Sequence, residues 1–446
     1  MATNLQIAAA DTPAHWLMIG TPIERATRAL AVLTAFSIPL STSFSEITTG
    51  LFVACYVVSG NFSAKWAVIR RNPVALVSLS LFGLLLMGMT WSVEGFAVSG
   101  RCLLKYRELL YLPMFVFVFQ DARLRTLAVS AYMAAAVLLL GFSYFEWLSH
   151  IDLGVAAHPL DLSPVISKDR IIHSLLMAYL AYLAAERLAG ISRNAEMSTG
   201  APRRWQLAYF AIIGLAVFNI LFMVEGRTGY LVLGALTMLF LFERLGRRGV
   251  VIASVLLGAA AWAGVTFSGT VRGRIAQTIS QLENQFGSER KHSADPRLEF
   301  YENALKLVRR HPVLGTGTGS FHGEYTRLIA NTDDRPTCDP HNEYLLLACQ
   351  VGIGGPILFV ALLGLQWFAA GRLAPPEKHI GRGIVLTIAL GSLFNSLILS
   401  VTGGVIYACF SGAAFAGLSQ QGAAEVHETP LEPNAEASPT TGRLAA

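Results

Sequence analysis

The chain has 446 residues, of which 53% are hydrophobic and 14% are charged, and its formal net charge is +5. Soluble globular domains carry about 25% charged residues. The low charge and a mean hydropathy of +0.50 therefore exclude a soluble globule. We predict an all-α polytopic membrane protein, for which the placement of basic residues matters more than their sum. We predict no nucleic-acid partner.

A membrane-spanning helix needs about 20 mostly apolar residues. By that measure the sequence contains about twelve candidate spans. They lie near 25–43, 44–60, 73–91, 103–120, 124–149, 169–189, 205–224, 228–243, 249–267, 341–370, 382–400 and 403–419. The N-terminus lacks the basic region and cleavage site of a signal peptide, so the first span is expected to remain as an anchor.

Alternate connections between these spans differ strongly in basic residues. The richer set holds fifteen: Lys65, Arg70, Arg71, Arg123, Arg125, Arg187, Arg193, Arg203, Arg204, Arg244, Arg247, Arg248, Arg372, Lys378 and Arg382. The short connections of the other set hold four: Arg101, Lys168, Arg170 and Arg227. Because cytoplasmic loops carry the excess of Lys and Arg, the richer set and both termini are predicted to be cytoplasmic.

This topology divides the chain into five segments. A cytoplasmic N-terminal segment (1–24) precedes spans one to nine (25–267), and a large exported loop with amphipathic helices (268–340) precedes spans ten to twelve (341–419). The tail (420–446) is rich in Ala, Pro, Thr and Glu, which predicts disorder.

The turn VEGRTG places a cation between two apolar runs on the exported side. Arg227 opens the predicted span there, with Glu225 beside it. Ionisable residues within the membrane are costly and are functional candidates, here as partners of an anion. The alternative is that Arg227 snorkels to the interface or pairs with Glu225.

The exported loop contains two predicted helices. Residues 274–286 carry an apolar stripe, which predicts an amphipathic helix packed on the bundle or on the membrane surface. The second helix begins at Pro296 with Asp295 as N-cap, and it ends at Arg310 before His311-Pro312. Its wet face includes Glu299, and its drier face carries Arg297 and Tyr301.

Arg297 is a candidate anion-binding residue because a cation opposes the dipole at the start of a helix. A salt bridge to Asp295 or Glu225 is the alternative.

The glycine-rich segment VLGTGTGSFHGEY (313–325) follows this helix. Backbone amides of such a loop are able to bind phosphate, but a sharp reversal of the chain is the favoured interpretation.

The segment DPHNEYL closes the exported loop. Asp339 and Pro340 predict a helix start, which places His341 in the first turn of the next span. The positive end of the helix dipole favours neutral imidazole, the form that acts as a general base near pH 7. A capping or core histidine is the alternative.

The carboxylates near His341 match no known spacing of metal ligands, and the sequence has no DxD motif. We therefore predict neither a metal nor another cofactor.

A further basic group occurs where SGRCLLKYRELLYLP (99–113) enters the membrane. Arg101, Lys105 and Glu108 are predicted to share one helical face, and Arg107 is predicted to pair with Glu108 or a neighbouring helix. Arg101 and Lys105 stand one turn apart near the interface and suit a lipid-linked phosphate. Snorkelling is the alternative, above all for Lys105.

These motifs together are similar to a known family. GRTG (226–229), RLEFYENALKLVRRHPVLGTGTGSF (297–321) and HNEYL (341–345) with the following VGIGG occur in this order. The chain thereby resembles the O-antigen ligase and polymerase superfamily of bacterial cell-envelope glycosyltransferases. The resemblance covers about 205–370 well; before that it extends only to the pattern of spans.

The resemblance implies an inverting, metal-independent glycosyltransferase in the inner membrane of a Gram-negative bacterium, acting at the periplasmic face. The implied donor is an O-antigen glycan on undecaprenyl diphosphate, and the acceptor is a sugar of lipid A–core. The family's functional residues correspond to Arg227, Arg297 and His341. We predict that the arginines bind the diphosphate together with Arg101, Lys105 and Tyr301, and that His341 is the general base.

Three other functions remain open. An O-antigen polymerase would use the same donor with a second lipid-linked glycan as acceptor. A protein O-oligosaccharyltransferase is the third enzyme alternative. A transporter of an anionic lipid or glycan belongs to a different class; such proteins often show inverted repeats and charges near the midplane, neither of which is evident here.

Overall fold

A computed structural model describes residues 20–150, 165, 168–197, 203–224, 226–267 and 296–420. The described residues form seventeen α-helices and no strand. In chain order they are α1 Pro22–Leu40, α2 Thr42–Val58, α3 Phe62–Ile69, α4 Pro73–Gly88, α5 Gly95–Leu104, α6 Glu108–Val118, α7 Ala122–Ser149, α8 Arg170–Met197, α9 Arg203–Phe218, α10 Arg227–Leu245, α11 Arg247–Phe267, α12 Pro296–Arg310, α13 Phe321–Ile329, α14 Glu343–Val351, α15 Gly354–Ala370, α16 Glu377–Gly391 and α17 Val401–Phe415.

The all-α membrane architecture is confirmed, whereas the number of spans is not. Five of the described helices are long and apolar enough to cross a membrane, and a sixth span results if the bent pair α2 and α3 is counted as one. The predicted helix at 274–286, the N-cap Asp295, the neighbour Glu225 and the tail beyond Gln420 lie outside the described residues. Twelve spans therefore stay a prediction.

Several predicted spans are broken or shortened in the structure; the predicted span 382–400, for example, is helical only as far as Gly391. The span 341–370 is divided into α14 and α15, because Gly352 turns the backbone with a φ of 66°. The segment 99–113 is divided by a turn between α5 and α6, so Arg101 and Lys105 do not share one continuous helix with Glu108. That part of the prediction is wrong. Arg107 pairs with both Glu46 on α2 and Glu108, as expected.

Contacts between helix ends define two ends of the bundle. The loop end carries residues 296–343, and its contacts include Lys168 Nζ with Thr42 Oγ1 (3.1 Å) and Thr402 Oγ1 (3.0 Å), Thr318 N with Gly88 O (3.0 Å), and Glu343 N with Ser392 O (2.9 Å). Contacts at the opposite end include Arg125 with Glu377 (3.0 Å), Arg244 with Glu186 (2.6 Å) and Asn72 with Ser419 (3.2 Å).

The two sets of basic residues that the sequence separates also separate in space. Arg125 and Arg244 of the predicted cytoplasmic set lie at the opposite end, and Lys168 of the predicted exported set lies at the loop end. These three residues follow the division that the sequence predicts. The side of the membrane that each end faces stays a prediction.

The glycine-rich segment anchors the loop to the bundle. The amides of Thr316, Gly317 and Thr318 donate to the carbonyls of Cys349, Gln350 and Gly88 at 2.9, 2.8 and 3.0 Å. The Gly319 amide donates to Gln350 Oε1 at 2.7 Å. Since these amides bind protein oxygens, the segment reverses the chain and does not present them to phosphate. The favoured interpretation of this motif is confirmed.

Gly317→Ala is expected to destabilise the protein by about 2 kcal/mol or more, through strain and overpacking. Gly317 has a φ of +95°, and a Cβ there would lie 2.2 Å from the Ser92 Cα. Gly95 has a φ of +75° with open space around it, so Gly95→Ala serves as the control for strain alone. Thermal unfolding in detergent measures the difference, and equal shifts of the two variants would contradict the packing argument.

Candidate functional site

His341 lies in a tight turn before α14. Its backbone has a φ of 52°, in the left-handed region that non-glycine residues seldom adopt. The helix begins at Glu343, and Asn342 caps it by accepting from the Leu345 amide at 3.0 Å. The prediction that His341 occupies the first helical turn is therefore wrong, because Asn342, not Asp339, provides the cap.

Asp339 holds this turn. Its Oδ1 accepts from the His341 amide at 2.7 Å and from Ser396 Oγ at 3.0 Å. The same oxygen lies 3.6 Å from His341 Nδ1, an ion-pair distance that exceeds a hydrogen bond. Asp339 thus fixes the backbone of the turn, and because the His341 side chain is 38% exposed, a substrate is able to reach the imidazole.

Helix α12 supplies the other side of the candidate site. The Phe300 ring lies 5.8 Å from the His341 ring, and the single proton of Tyr301 Oη is donated to the Leu393 carbonyl at 2.8 Å or to the His341 carbonyl at 3.3 Å. Arg297 precedes Phe300 and Tyr301 by one helical turn, and residues three and four apart share a helix face. The half-buried Arg297 thus lies on the face of α12 that meets His341.

The prediction that Glu299 lies on the solvent-exposed face of α12 is wrong. The Glu299 side chain is buried and accepts a hydrogen bond from the backbone amide of Arg335, in the segment before Asp339. Ala304, which follows Tyr301 by one turn of the helix, is fully buried. A small apolar cluster fixes α12 and α13 on α14; its buried members are Phe300, Ala304, Leu307, Phe321, Tyr325, Ile329, Leu346 and Cys349.

A buried polar network lies next to His341 and supports the candidate site. Glu343 is fully buried and accepts from Tyr106 Oη at 3.1 Å and from the Ile398 amide at 2.9 Å. Gln350 donates to the same Tyr106 hydroxyl at 3.3 Å and accepts from Gly319. Buried polar groups that are satisfied in this way rigidify their surroundings. The network therefore fixes α14, the glycine-rich segment and the segment after α16 relative to one another.

Arg227 is the first residue of α10 and is exposed at the loop end. The flanking glycines allow α10 to approach α8 closely: a Cβ at Gly226 would lie 2.6 Å from Ser174 Oγ, and one at Gly229 2.4 Å from Ser174 Cβ. A π-helical turn, Asn219–Met223, precedes it. Such turns are rare and frequently occur at functional sites.

Contacts connect Arg227 to the His341 region through two helices. A Cβ at Gly226 would lie 3.3 Å from the Arg170 carbonyl at the start of α8, and Leu175 of α8 packs near Gly391 at the end of α16. The next residue, Ser392, accepts from the Glu343 amide. Arg227 and His341 therefore share the loop end. Within the described part of the chain, His341 makes no hydrogen bond or ion pair with a predicted arginine.

Arg101 and Lys105 are both exposed at the C-terminal end of α5. This helix packs against the glycine-rich segment, since a Cβ at Gly319 would lie 3.0 Å from the Ser99 Cα. The two residues thus lie at the loop end beside the supporting network. Their contact with a ligand stays a prediction.

Possible metal ligands cluster elsewhere in the described residues. Atoms of Glu186, Glu243 and His379 lie within 4.8 Å of one another at the opposite end. Arg244 bonds Glu186 at 2.6 Å, and Lys378 lies 3.6 Å from Glu243, which also contacts Arg382. Because cations already compensate both carboxylates, the cluster fits an ion-pair network better than a metal site.

Asp339→Asn is expected to lower kcat by about 10–100-fold, less than the roughly 10⁴-fold loss where an aspartate hydrogen-bonds its histidine directly. Asparagine retains an oxygen for the His341 amide but loses the charge that faces Nδ1. KM for the donor should be unchanged. The exposed Asp333 provides the control, Asp333→Asn. A kcat equal to that of the unmodified protein would remove Asp339 from the site.

Asp339, Tyr106 and Glu343 are the supporting residues that the sequence prediction did not assign. The signal for Asp339 is its position two residues before a histidine, where an Asx side chain commonly bonds the backbone two residues on. Tyr106 meets Glu343 across 237 residues of chain. The sequence contains no comparable signal for that contact.

Comparison with known families gives one match. A family model described as O-antigen ligase matches residues 210–360. This range includes the GRTG turn, α12, the glycine-rich segment, His341 and α14, and it does not reach Arg101 or Lys105. No curated protein matches the chain.

Proposed function

The chain is a member of the O-antigen ligase family, and we propose that it transfers an O-antigen glycan from undecaprenyl diphosphate to a sugar of lipid A–core. Membership supports glycosyltransferase activity of the ligase or polymerase type on a lipid-linked glycan. We place the reaction at the periplasmic face of the Gram-negative inner membrane, with both termini cytoplasmic. The observation that carries the proposal is the exposed His341, held by Asp339 beside the face of α12 that bears Arg297.

In the proposed reaction His341 acts as general base. The imidazole takes the proton of an acceptor hydroxyl, and the oxygen attacks the anomeric carbon as its bond to the diphosphate breaks. Since attack is opposite to the leaving group, the anomeric centre inverts. The Asp339 carboxylate lies 3.6 Å from Nδ1, where its charge would stabilise the imidazolium that forms. Such a base contributes about 10²–10⁴-fold.

Arg227 and Arg297 are proposed to stabilise the leaving diphosphate. A guanidinium stays charged and bonds phosphate oxygens in a bidentate manner. Charge grows on the diphosphate as the glycosidic bond breaks, and preorganised cations aimed at growing charge usually give the largest catalytic effect. Tyr301, Arg101 and Lys105 complete the proposed head-group site at the same end of the bundle.

Transfer by purified protein is expected to survive EDTA, because arginines rather than a divalent ion would neutralise the diphosphate. The rate should be the same in excess EDTA as with added Mg²⁺. If EDTA abolishes transfer and added Mg²⁺ restores it, the reaction requires a metal ion and the proposal is wrong on this point.

One reconstitution experiment distinguishes the candidate functions. Purified protein receives lipid-linked glycan alone, lipid A–core alone, or both. A ligase forms glycosylated lipid A–core only with both substrates, whereas a polymerase lengthens the lipid-linked glycan alone. A protein oligosaccharyltransferase needs a polypeptide acceptor, and a transporter moves the lipid without changing it. Absence of glycosylated lipid A–core with both substrates would contradict the ligase proposal.

A further inference from the structure

A pocket lies at the elbow between α2 and α3, at the end of the bundle away from His341. The axes of α2 and α3 differ by 114°. The elbow pocket has a volume of about 400 Å³. Its lining includes Arg28, Tyr56, Lys65, Phe117, Asp121 and Leu124.

The Tyr56 hydroxyl is unsatisfied within this lining. Tyr56 is only 5% exposed, and its hydroxyl has no hydrogen-bond partner among the described residues. Buried hydroxyl groups are almost always paired, because leaving one unpaired forfeits its hydration. A ligand in the pocket would supply the missing acceptor.

Lys65 adds a buried positive charge to the same pocket. It is 3% exposed and donates to the Tyr56 carbonyl and, at 2.9 Å, to Ser59 Oγ. Its Nζ also lies 4.1 Å from the centre of the Tyr56 ring. No carboxylate of the described residues forms an ion pair with it. A buried cation with only neutral partners favours an anion nearby.

The two carboxylates of the lining have structural roles already. Glu24 accepts from the Thr21 amide at 3.0 Å in the cap of α1. Asp121 accepts from the Arg123 amide at 2.8 Å in the cap of α7. Both carboxylates therefore accept from helix amides, and Glu24, the carboxylate whose charge acts on Lys65, forms no direct ion pair with it.

The surroundings of the pocket place it at the depth of lipid headgroups. Phe62 and Trp66 of α3 are 59% and 52% exposed on either side of Lys65. Exposed aromatic rings concentrate at the interface between membrane and water. The walls formed by Phe117, Val118 and Leu124 are apolar. A ligand with an anionic head and an apolar body matches both parts of the pocket.

We propose that the elbow pocket binds the phosphate headgroup of a phospholipid from the leaflet opposite the candidate active site. The Tyr56 hydroxyl donates to a phosphate oxygen, and Lys65 provides the counter-charge. The apolar walls cover the start of the acyl chains. This site is independent of the proposed transfer reaction and joins α1, α2, α3 and α6 through one lipid.

Native mass spectrometry of protein in detergent tests the proposal with phosphatidylglycerol as the probe. The unmodified protein should retain one such lipid, and Tyr56→Phe should bind it about tenfold more weakly, as expected for loss of one hydrogen bond to a charged group. Without lipid, Tyr56→Phe should be as stable as the unmodified protein, because it removes an unsatisfied hydroxyl. This variant separates binding from folding.

Tyr132→Phe is the matched control. Tyr132 is also buried, but its hydroxyl donates to the Leu176 carbonyl at 3.1 Å, so its loss should lower stability without changing lipid binding. Equal retention of phosphatidylglycerol by Tyr56→Phe and the unmodified protein would overturn the proposal.

A second experiment adds inorganic phosphate alone, which should not raise the unfolding temperature. If phosphate does raise it, and Tyr56→Phe abolishes the effect, the ligand is a soluble phosphate compound and the lipid proposal is overturned.

Discussion

His341→Ala is expected to reduce turnover by about 10²–10⁴-fold while donor binding changes little. The reason is geometric: the imidazole is 38% exposed, faces Asp339, and packs beside Phe300 of α12. It therefore has access to an acceptor hydroxyl without being the group that holds the diphosphate. Single-turnover transfer with saturating donor measures the loss.

His311→Ala is the matched control for this prediction. His311 is an exposed histidine in the same loop, directly after α12, and has no proposed role in the chemistry. It should transfer at the rate of the unmodified protein. Turnover of His341→Ala within a factor of about two of this control would rule out a general base at this position, since base catalysis contributes far more.

Arg297→Ala is expected to lower turnover by about 10²–10³-fold, the usual cost of removing one donor to a developing charge. Arg227→Ala should have a similar effect, because both guanidinium groups are proposed to bind the leaving diphosphate. Arg297→Lys should recover only part of the loss, since an ammonium keeps the charge but not the bidentate geometry. Transfer rates and thermal unfolding are measured on the same preparations.

Arg309→Ala is the control for the helix. Arg309 is exposed in the last turn of α12, where it suits the helix dipole and lies three turns from Arg297. It should leave transfer unchanged. If Arg297→Ala and Arg227→Ala both retain normal transfer as folded proteins, the diphosphate site is elsewhere.

Helix ends were predictable where local signals agreed. Pro296 at the start of α12 and the two arginines before His311-Pro312 gave both of its ends correctly. The start of α14 was wrong because Asp339 and Asn342 are both acceptable caps, and a choice between them requires tertiary contacts. Asp339 instead bonds Ser396, which is 57 residues away in the chain. Hydrophobic composition likewise does not reveal the turn between α5 and α6.

The candidate residues were chosen where a charge or a histidine stood in an apolar context or at the start of a helix, and their role in one site stays a prediction. Arg227, Arg297 and His341 were chosen in this way, and the structure places Arg297 on the same helix face as Tyr301, which bonds the His341 backbone. The supporting residues were not predictable. Glu343 resembles an ordinary acidic residue of a first helical turn, and its burial depends on Tyr106 and the Ile398 amide.

Photo-crosslinking with a donor analogue tests most directly whether Arg227, Arg297 and His341 form one site. The analogue carries an undecaprenyl diphosphate and a photoreactive group on the first sugar, and mass spectrometry identifies the labelled peptides. We expect labelling of the peptides that contain the GRTG turn, the start of α12 and His341, with competition by unlabelled donor. Labelling confined to the opposite end, near Arg244 or Arg382, would contradict the proposed site.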